Sequence, residues 1–264
     1  MTASVGAASG ALWGRRIVVT RPEGQARHLA DMIRAAGGEP VLFPTIDIAP
    51  APDTADLDGA LARLSEFDLA VFVSANAVLH AFARIDGLQL TWPKNLRTAA
   101  TGPGTAAELK TRGCDAIHPH TRFDSEGLLA EIERLGLAPK RVLIVRGAGG
   151  REWLLDHLGA HGAAVQAVAS YVRVCGTADA APVKRMARAS QLDAFTVTSS
   201  EGGENLIRML GGDALDVLGH TPVFVPHARI AARMRADDCV NVVETAGGDA
   251  GLIAGMTAHF AQTA

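Results

Sequence analysis

The stretch IVVTRPEGQARHLADMI, from Ile17 to Ile33, has the same design as VLIVRGAGGREWLLDHL, from Val142 to Leu158. Each begins with a short apolar run rich in Val and Ile, continues with an arginine and a turn, and ends in a segment of helical period. A strand that leads through a turn into a helix is the unit from which α/β folds are built. The two stretches therefore predict an α/β protein that contains this unit more than once.

A fixed spacing relates other parts of the chain and indicates a duplicated domain. An offset of 125 residues separates the members of three pairs: Arg21 and Arg146, Ser74 and Ser199, and Gly102 and His227. DSEGLLAEI, which begins at Asp124, resembles GDAGLIAGM, which begins at Gly248, at nearly the same offset. Chance similarity among strand–turn–helix units is the alternative. Four units that recur in one order favour duplication.

Apolar runs alternate with helical segments along most of the chain. The clearest strand candidates are Ile17–Thr20, Leu69–Val73, Val142–Val145, Ala194–Thr198 and Val223–Val225. The clearest helical segments are Gln25–Ala36, Thr105–Arg112, Gly127–Leu135 and Glu201–Leu210. Several strands are apolar throughout, which is typical of a parallel sheet covered on both faces. The pattern predicts two similar, doubly wound parallel-sheet domains.

The length of 264 residues suits two such domains. Two β-rich junctions, residues 41–50 and 165–174, each end a repeated unit. We expect them to form a two-stranded β hinge. The first domain then comprises residues 1–46 plus 172–264, the second is inserted as residues 51–167, and a cleft lies between the domains.

Composition excludes several classes of protein. The net charge of −3 and the lack of a basic block argue against a nucleic-acid partner. No stretch approaches the ~20 apolar residues of a membrane span, and the start lacks a secretory signal, so residues 1–14 are expected to be a loose tail. Three dispersed cysteines indicate reduced thiols in the cytoplasm. The histidines show no zinc-binding spacing, so no metal site is expected.

Polar residues follow the predicted strands at the edge where open α/β sheets bind ligands. They are small, hydroxylated or basic, and each precedes a helix: Arg21, Ser74, Asn76, Gly102, Arg146, Gly147, Ser199, Ser200 and His227. Helix N-termini attract anions, so these edges could bind carboxylates or phosphates. The alternative is that the serines only cap helices.

Three motifs need separate interpretation. The turn that begins at Gly102 fits a dinucleotide fingerprint, but Pro103 removes an N–H and no acidic partner follows a strand at the usual distance. The glycine-rich turn between Arg146 and Arg151 could clamp a carboxylate, or leave Arg151 in solvent. Tyr171, the only tyrosine, could donate a proton, or be buried against a backbone partner. His80 and most other histidines are expected on the surface or in loops.

These residues resemble the uroporphyrinogen-III synthase family from about Gly14 to Phe260. The matching elements include the opening VTRP, Ser74 to Val78, the turn from Gly102 to Ala106, Ser125 to Leu129, Arg146-Gly147 with Arg151, Tyr171, Thr198 to Ser200, and His227 to Ala231. The pattern with His227 and Arg229 resembles that of bacterial members.

The resemblance implies a lyase of haem and sirohaem biosynthesis that uses no cofactor. Its substrate would be hydroxymethylbilane, a linear tetrapyrrole with eight carboxylates, which is closed to uroporphyrinogen III with loss of water and inversion of ring D. Tyr171 would be the catalytic acid. Substrate-binding residues would be Arg21, Ser74, Asn76, Gly102, Thr105, Ser125, Arg146, Gly147, Arg151, Ser199, Ser200, His227 and Arg229.

We further expect a monomer that makes transient contact with the enzyme supplying its substrate. A non-catalytic, two-lobed binding or regulatory protein for a small polyanion is the alternative function.

Overall fold

The computed structural model describes residues 10–263, in which strands and helices alternate. The strands are β1 (Arg16–Val19), β2 (Glu39–Leu42), β3 (Ile46–Pro50), β4 (Leu69–Phe72), β5 (Arg97–Ala100), β6 (Ala116–Ile117), β7 (Arg141–Gly147), β8 (Ala164–Cys175), β9 (Ala194–Thr196), β10 (Val223–Val225) and β11 (Val242–Glu244). The strand candidates of the sequence analysis all fall on these strands, with ends that differ by one or two residues.

The helices fill the intervals between strands. They are α1 (Glu23–Ala35), α2 (Ala55–Leu61), α3 (Ala75–Gly87), α4 (Pro103–Thr111), α5 (Ser125–Arg134), α6 (Trp153–Ala160), α7 (Ala181–Arg188), α8 (Ser200–Leu210), α9 (Ala214–His220), α10 (Ala228–Ala236) and α11 (Gly248–Thr263). None of the helices within residues 10–263 combines the length and the apolar character that a membrane crossing requires.

Two sheets share one strand order, which confirms the predicted α/β fold with two similar parallel sheets. The first runs β11-β10-β9-β1-β2, and the second runs β6-β5-β4-β7-β8 with β3 added at its edge. All described pairs in the first sheet are parallel, and so are those from β6 to β8 in the second. In this shared order β1 is equivalent to β7, and β9 is equivalent to β4, as the offset of 125 residues predicts.

Each sheet has apolar layers on both faces. In β4, Leu69 and Val71 pack into the cluster that contains α5 and α6, whereas Ala70 and Phe72 pack into the cluster that contains α3. All four side chains are buried because successive residues of a strand point to opposite faces. Burial on both faces explains why these strands are apolar throughout.

Contacts divide the described chain into two compact units, between Asp47 and Ile48 and between Arg173 and Val174. Unit 1 contains the first sheet and unit 2 the second. The chain crosses between the units in β3 and in β8, which are neighbouring strands. Backbone bonds from Gly176 N–H to Thr45 O and from Ala51 N–H to Ser170 O give this pair an antiparallel sense. A hinge role for the two strands stays a prediction.

The expected junction strand at residues 41–50 is divided in the structure. β2 ends at Leu42 in the first sheet, and β3 begins at Ile46. Pro44, between them, has no N–H to continue a ladder. The amide of Thr45 instead donates to Thr20 O, 3.0 Å away.

The N-terminal tail differs from the sequence-based expectation in its second half. Residues 1–9 lie outside the described residues. Leu12 is fully buried against α1 and α11, and its N–H donates to Ala36 O. The expectation of a loose tail is therefore wrong for residues 10–14, because an apolar side chain anchors them to the core.

Candidate active site

Tyr171 lies in β8 at the carboxyl end of the unit 2 sheet. β8 pairs with β7 in register up to Arg146, opposite Ala169, and then shifts so that Gly147 faces Tyr171. The shift leaves Ser170 as an extra residue, an irregularity that re-aims the side chains beyond it. Tyr171 is thereby placed over Gly147 and beside the start of α3.

A tight contact with Gly147 fixes the position of the Tyr171 ring. A Cβ atom at position 147 would lie 2.6 Å from Cζ of Tyr171, so a residue with a side chain cannot occupy this position without displacing the ring. On another side the imidazole of His80 stacks on the phenol, with ring centroids 5.9 Å apart. Tyr171 is 3% exposed, which makes its orientation well defined.

The Tyr171 hydroxyl has one defined partner. Its oxygen is 3.1 Å from Oγ of Ser74, the residue that caps α3 by accepting the N–H of Ala77. Because Ser74 Oγ already accepts that N–H, its own proton is free to point at the phenol oxygen. In that arrangement the Tyr171 O–H is left to donate to another group. Burial lowers the pKa of the neighbouring His80, which favours its neutral form.

A cavity of about 170 Å³ adjoins Tyr171 within unit 2. Five of the predicted site residues line it: Ser125, Arg146, Gly147, Arg151 and Tyr171. Its apolar walls come from Val73, Ile144, Leu154, Leu155 and Ala167. One water occupies about 30 Å³ of liquid, so the cavity has the volume of roughly six waters. That space suits a single small ring with polar substituents.

Carboxylates already neutralise two arginines at this cavity. Arg146 donates to Glu152 at 2.6 Å and to the carbonyl oxygen of Gly150 at 3.0 Å. Arg151 donates to Glu126 at 2.9 Å, and that hydrogen bond lowers the pKa of the Glu126 carboxyl. Arg146 is therefore held by its own turn, whereas Arg151 is 68% exposed, as the solvent alternative expects; a carboxylate clamp stays a prediction.

Besides Ser74, which contacts Tyr171, three predicted residues of unit 2 lie outside the lining of this cavity. Asn76 is half-buried in the first turn of α3. Gly102 precedes α4 in extended backbone, and Thr105 is buried within that helix at 7% exposure. The structure does not gather these three with Tyr171.

In unit 1, the corresponding sheet edge is occupied by an ion pair. Arg21 is 2.5 Å from Asp249 at the start of α11 and donates to Thr198 Oγ1 at 3.2 Å. Asp249 also contacts His28, at 2.6 Å. Burial raises the pKa of Asp249, but the hydrogen bonds from Arg21 and His28 outweigh that effect and lower it.

The other predicted residues of unit 1 are at the starts of helices. Ser199 caps α8 through the N–H of Gly202, and Ser200 is the first residue of that helix. His227 precedes α10 without a side-chain capping bond, and Arg229 follows in the first turn of the helix. His227 and Arg229 are both exposed. The capping interpretation holds for Ser199 and for Ser74, but Ser74 has the additional contact with Tyr171.

Sequence reasoning missed two residues at the site. His80 was expected in a loop or on the surface, but it lies half-buried in α3 against Tyr171. Arg173 lines the cavity two residues after Tyr171. His80 lies one helical turn after Asn76, a predicted site residue, and Arg173 lies two residues after the only tyrosine. These spacings were the signals available in the sequence.

Comparisons with known proteins agree on one family. The family model described as uroporphyrinogen-III synthase HemD matches residues 27–253. The uroporphyrinogen-III synthase of Escherichia coli (strain K12) is 35% identical over 186 residues, which cover 70% of this chain and 76% of the relative. The uroporphyrinogen-III synthase of Synechococcus elongatus is 30% identical over 204 residues, which cover 76% and 77%.

Solved structures support the fold. A mutant uroporphyrinogen III synthase from the extremely thermophilic bacterium Thermus thermophilus has a TM-score of 0.55 at 14% identity, over 94% of this chain and 99% of that one. The uroporphyrinogen-III synthetase of Helicobacter pylori 26695 has a TM-score of 0.56 at 15% identity, with coverage of 94% and 99%. With the family model matching most of its length, the chain belongs to the uroporphyrinogen-III synthase family.

Proposed function

We propose that this enzyme closes hydroxymethylbilane to uroporphyrinogen III and water as a lyase, with Tyr171 as the proton donor and with neither metal nor cofactor. The observation that carries the proposal is the Tyr171 hydroxyl beside Ser74, at a cavity lined by arginines. Apolar walls suit a pyrrole ring, and guanidinium groups suit its carboxylates.

In the first step the C–O bond of the terminal hydroxymethyl group breaks. Hydroxide is a poor leaving group, so the oxygen needs a proton as it departs, and the Tyr171 O–H supplies it. The resulting azafulvene is attacked to give a spiro intermediate, and ring D is inverted as the macrocycle closes. Only water is lost overall, so the substrate must return a proton when the last ring bond is complete.

Ser74 supports the acid in this scheme. Its O–H can donate to the phenol oxygen while its Oγ accepts the N–H of Ala77, so the negative charge that develops on Tyr171 is met by a hydrogen bond. Gly147 and His80 both pack against the ring. Proton transfer then needs no rotation of the phenol, which is the form of preorganisation that lowers a barrier.

Carboxylate binding is proposed for the remaining predicted residues. Arg146 and Arg151 can exchange Glu152 and Glu126 for substrate carboxylates, since each guanidinium already donates to one carboxylate. In unit 1, Arg21 with Ser199, and the exposed His227 and Arg229, are the proposed donors. Asn76, Gly102, Thr105 and Ser200 are retained as proposed donors through their places at helix starts.

The cytoplasm is the proposed compartment, and a monomer is the proposed working form. Cys114, Cys175 and Cys239 are all free thiols, which fits a reducing compartment. The linear substrate closes without inversion when it is not held, so we also propose transient contact with the enzyme that makes it. Light scattering at assay concentration measures the oligomeric state.

The isomer ratio of the product tests the function. Purified protein is given hydroxymethylbilane, the products are oxidised, and type I and type III uroporphyrins are separated. We expect type III to predominate, whereas a sample without protein gives type I. An isomer mixture equal to that of the protein-free sample would reject the catalytic function and leave the non-catalytic polyanion-binding alternative.

A further inference from the structure

Within the described chain, Arg173 is the positive charge at the Tyr171 cavity that lacks a carboxylate partner. Among residues 10–263, Arg146 and Arg151 have ion pairs with Glu152 and Glu126, whereas the structure shows none for Arg173. Arg173 is exposed, yet it lines the same cavity as Tyr171. The free protein therefore presents one guanidinium there whose five donors need not be released from an internal acid before a ligand binds.

Arg173 and Tyr171 are close enough along β8 to line one cavity. The two residues are two apart in β8, so their Cα atoms are separated by about 6.6 Å at a rise of ~3.3 Å per residue. Both belong to one extended strand, whose ladder with β7 fixes the backbone up to Tyr171. A ring whose leaving hydroxyl reaches the phenol can thus present a carboxylate of the same ring to the guanidinium.

From this arrangement we infer that Arg173 is a substrate-binding residue that holds a carboxylate of the pyrrole ring bearing the leaving hydroxyl. The inference rests on the proposed function and deepens it. The eight carboxylates are distributed over four rings, so a charge-assisted contact beside the acid would select the ring that has to react. Arg146 and Arg151 would then bind carboxylates only after their own acids have moved.

Arg173→Gln and Arg173→Lys test this inference, with Arg97→Gln as the matched control. Arg97 is also an exposed arginine of unit 2, but it lies at the start of β5, at the opposite end of the sheet. For Arg173→Gln we expect KM for hydroxymethylbilane to rise about 10- to 100-fold, the range of a lost charged hydrogen bond. We expect the KM of Arg173→Lys to lie between those of wild type and Arg173→Gln, and the KM of Arg97→Gln to match that of wild type.

Calorimetric titration with uroporphyrin III, a stable octacarboxylate, is the second measurement, and it does not depend on turnover. Arg173→Gln should bind this probe at least about tenfold more weakly than Arg97→Gln does. Equal affinities and equal KM values in these two variants would overturn the inference while leaving the synthase activity intact. Failure of wild type to form the type III isomer would instead reject the proposed function, and the titration would still decide whether Arg173 binds a polycarboxylate.

Discussion

The two units have the same five-strand order but differ in what lies at the carboxyl edge of each sheet. In unit 2, Tyr171 contacts Ser74 over Gly147, next to an apolar cavity. In unit 1, Thr45 lies after the strand that corresponds to β8, and its hydroxyl bonds the carbonyl oxygens of Thr20 and Gly202. Thr45 is fully buried, so its hydroxyl serves the fold. One edge thus carries a phenol hydroxyl beside a cavity, and the other carries structural bonds.

This difference teaches that a duplicated scaffold need not duplicate its chemistry. The capping serines have equivalent places, as do Arg21, which follows β1, and Arg146, which lies near the end of β7. Arg21, however, is paired with Asp249 from the far end of the chain, whereas Arg146 is paired with Glu152 in its own turn. The two edges therefore share their capping serines and differ in the partners of their arginines.

Among the variants that test this comparison, Tyr171→Phe should have the largest effect on kcat. Removal of the hydroxyl takes away the proposed acid, and we expect kcat to fall by about 10²- to 10⁴-fold with little change in the melting temperature. The measurement is single-turnover conversion of hydroxymethylbilane, alongside thermal unfolding. Thr111→Val, which removes an exposed hydroxyl at the end of α4, is the control. Unchanged turnover in Tyr171→Phe would show that Tyr171 is not the acid.

A pair of serine variants separates capping from catalysis. Ser74→Ala and Ser199→Ala each remove a cap and should each lower the free energy of unfolding by about 1 kcal/mol. Only Ser74 also contacts the phenol, so we expect roughly a tenfold loss of kcat in Ser74→Ala beyond any loss in Ser199→Ala. Urea unfolding and steady-state rates measure the two effects. Equal rates in both variants would mean that the Ser74–Tyr171 contact has no catalytic role.

The ion pairs after the strands should differ in their contribution to stability. Asp249→Asn should lower the free energy of unfolding by about 1–2 kcal/mol because Asp249, the partner that Arg21 loses, is itself only 13% exposed. Glu152→Gln should cost less than about 0.5 kcal/mol, since Glu152 is 56% exposed. Denaturant unfolding at neutral pH measures both values. A larger loss in Glu152→Gln would contradict the distinction drawn between the two edges.

The pH dependence of stability in Asp249→Asn has a defined sign. The pKa of Asp249 is below its usual value of 3.8 in the folded chain, so the folded state binds fewer protons there than the unfolded state. The stabilisation that the Asp249 carboxylate provides is present above its usual pKa and is lost as the pH falls through the folded-state pKa. Asp249→Asn should therefore lose less stability on acidification than wild type. Denaturant midpoints measured from about pH 6 down to about pH 3 show the difference.

Local patterns predicted the elements of the fold but not the partners at the site. The apolar runs at Leu69 and Val142 identify buried parallel strands because they are uninterrupted over both faces of a sheet. The repeat at 125 residues likewise predicted the shared strand order. Asp249 lies 228 residues from Arg21, and no sequence period relates the two side chains. Such pairs depend on tertiary placement, as does the contact between Tyr171 and Ser74.

The packing of Gly147 beneath the phenol has a consequence for transferring the Tyr171 site to unit 1. At the offset of 125 residues, unit 1 has Pro22 where unit 2 has Gly147. A pyrrolidine ring would fill the space that an aromatic side chain needs at this edge. A tyrosine grafted onto this edge of unit 1 would meet that ring, whereas the phenol of Tyr171 meets bare backbone at Gly147. An engineered copy of the Tyr171 site in unit 1 would therefore need glycine in place of Pro22 as well as the aromatic side chain.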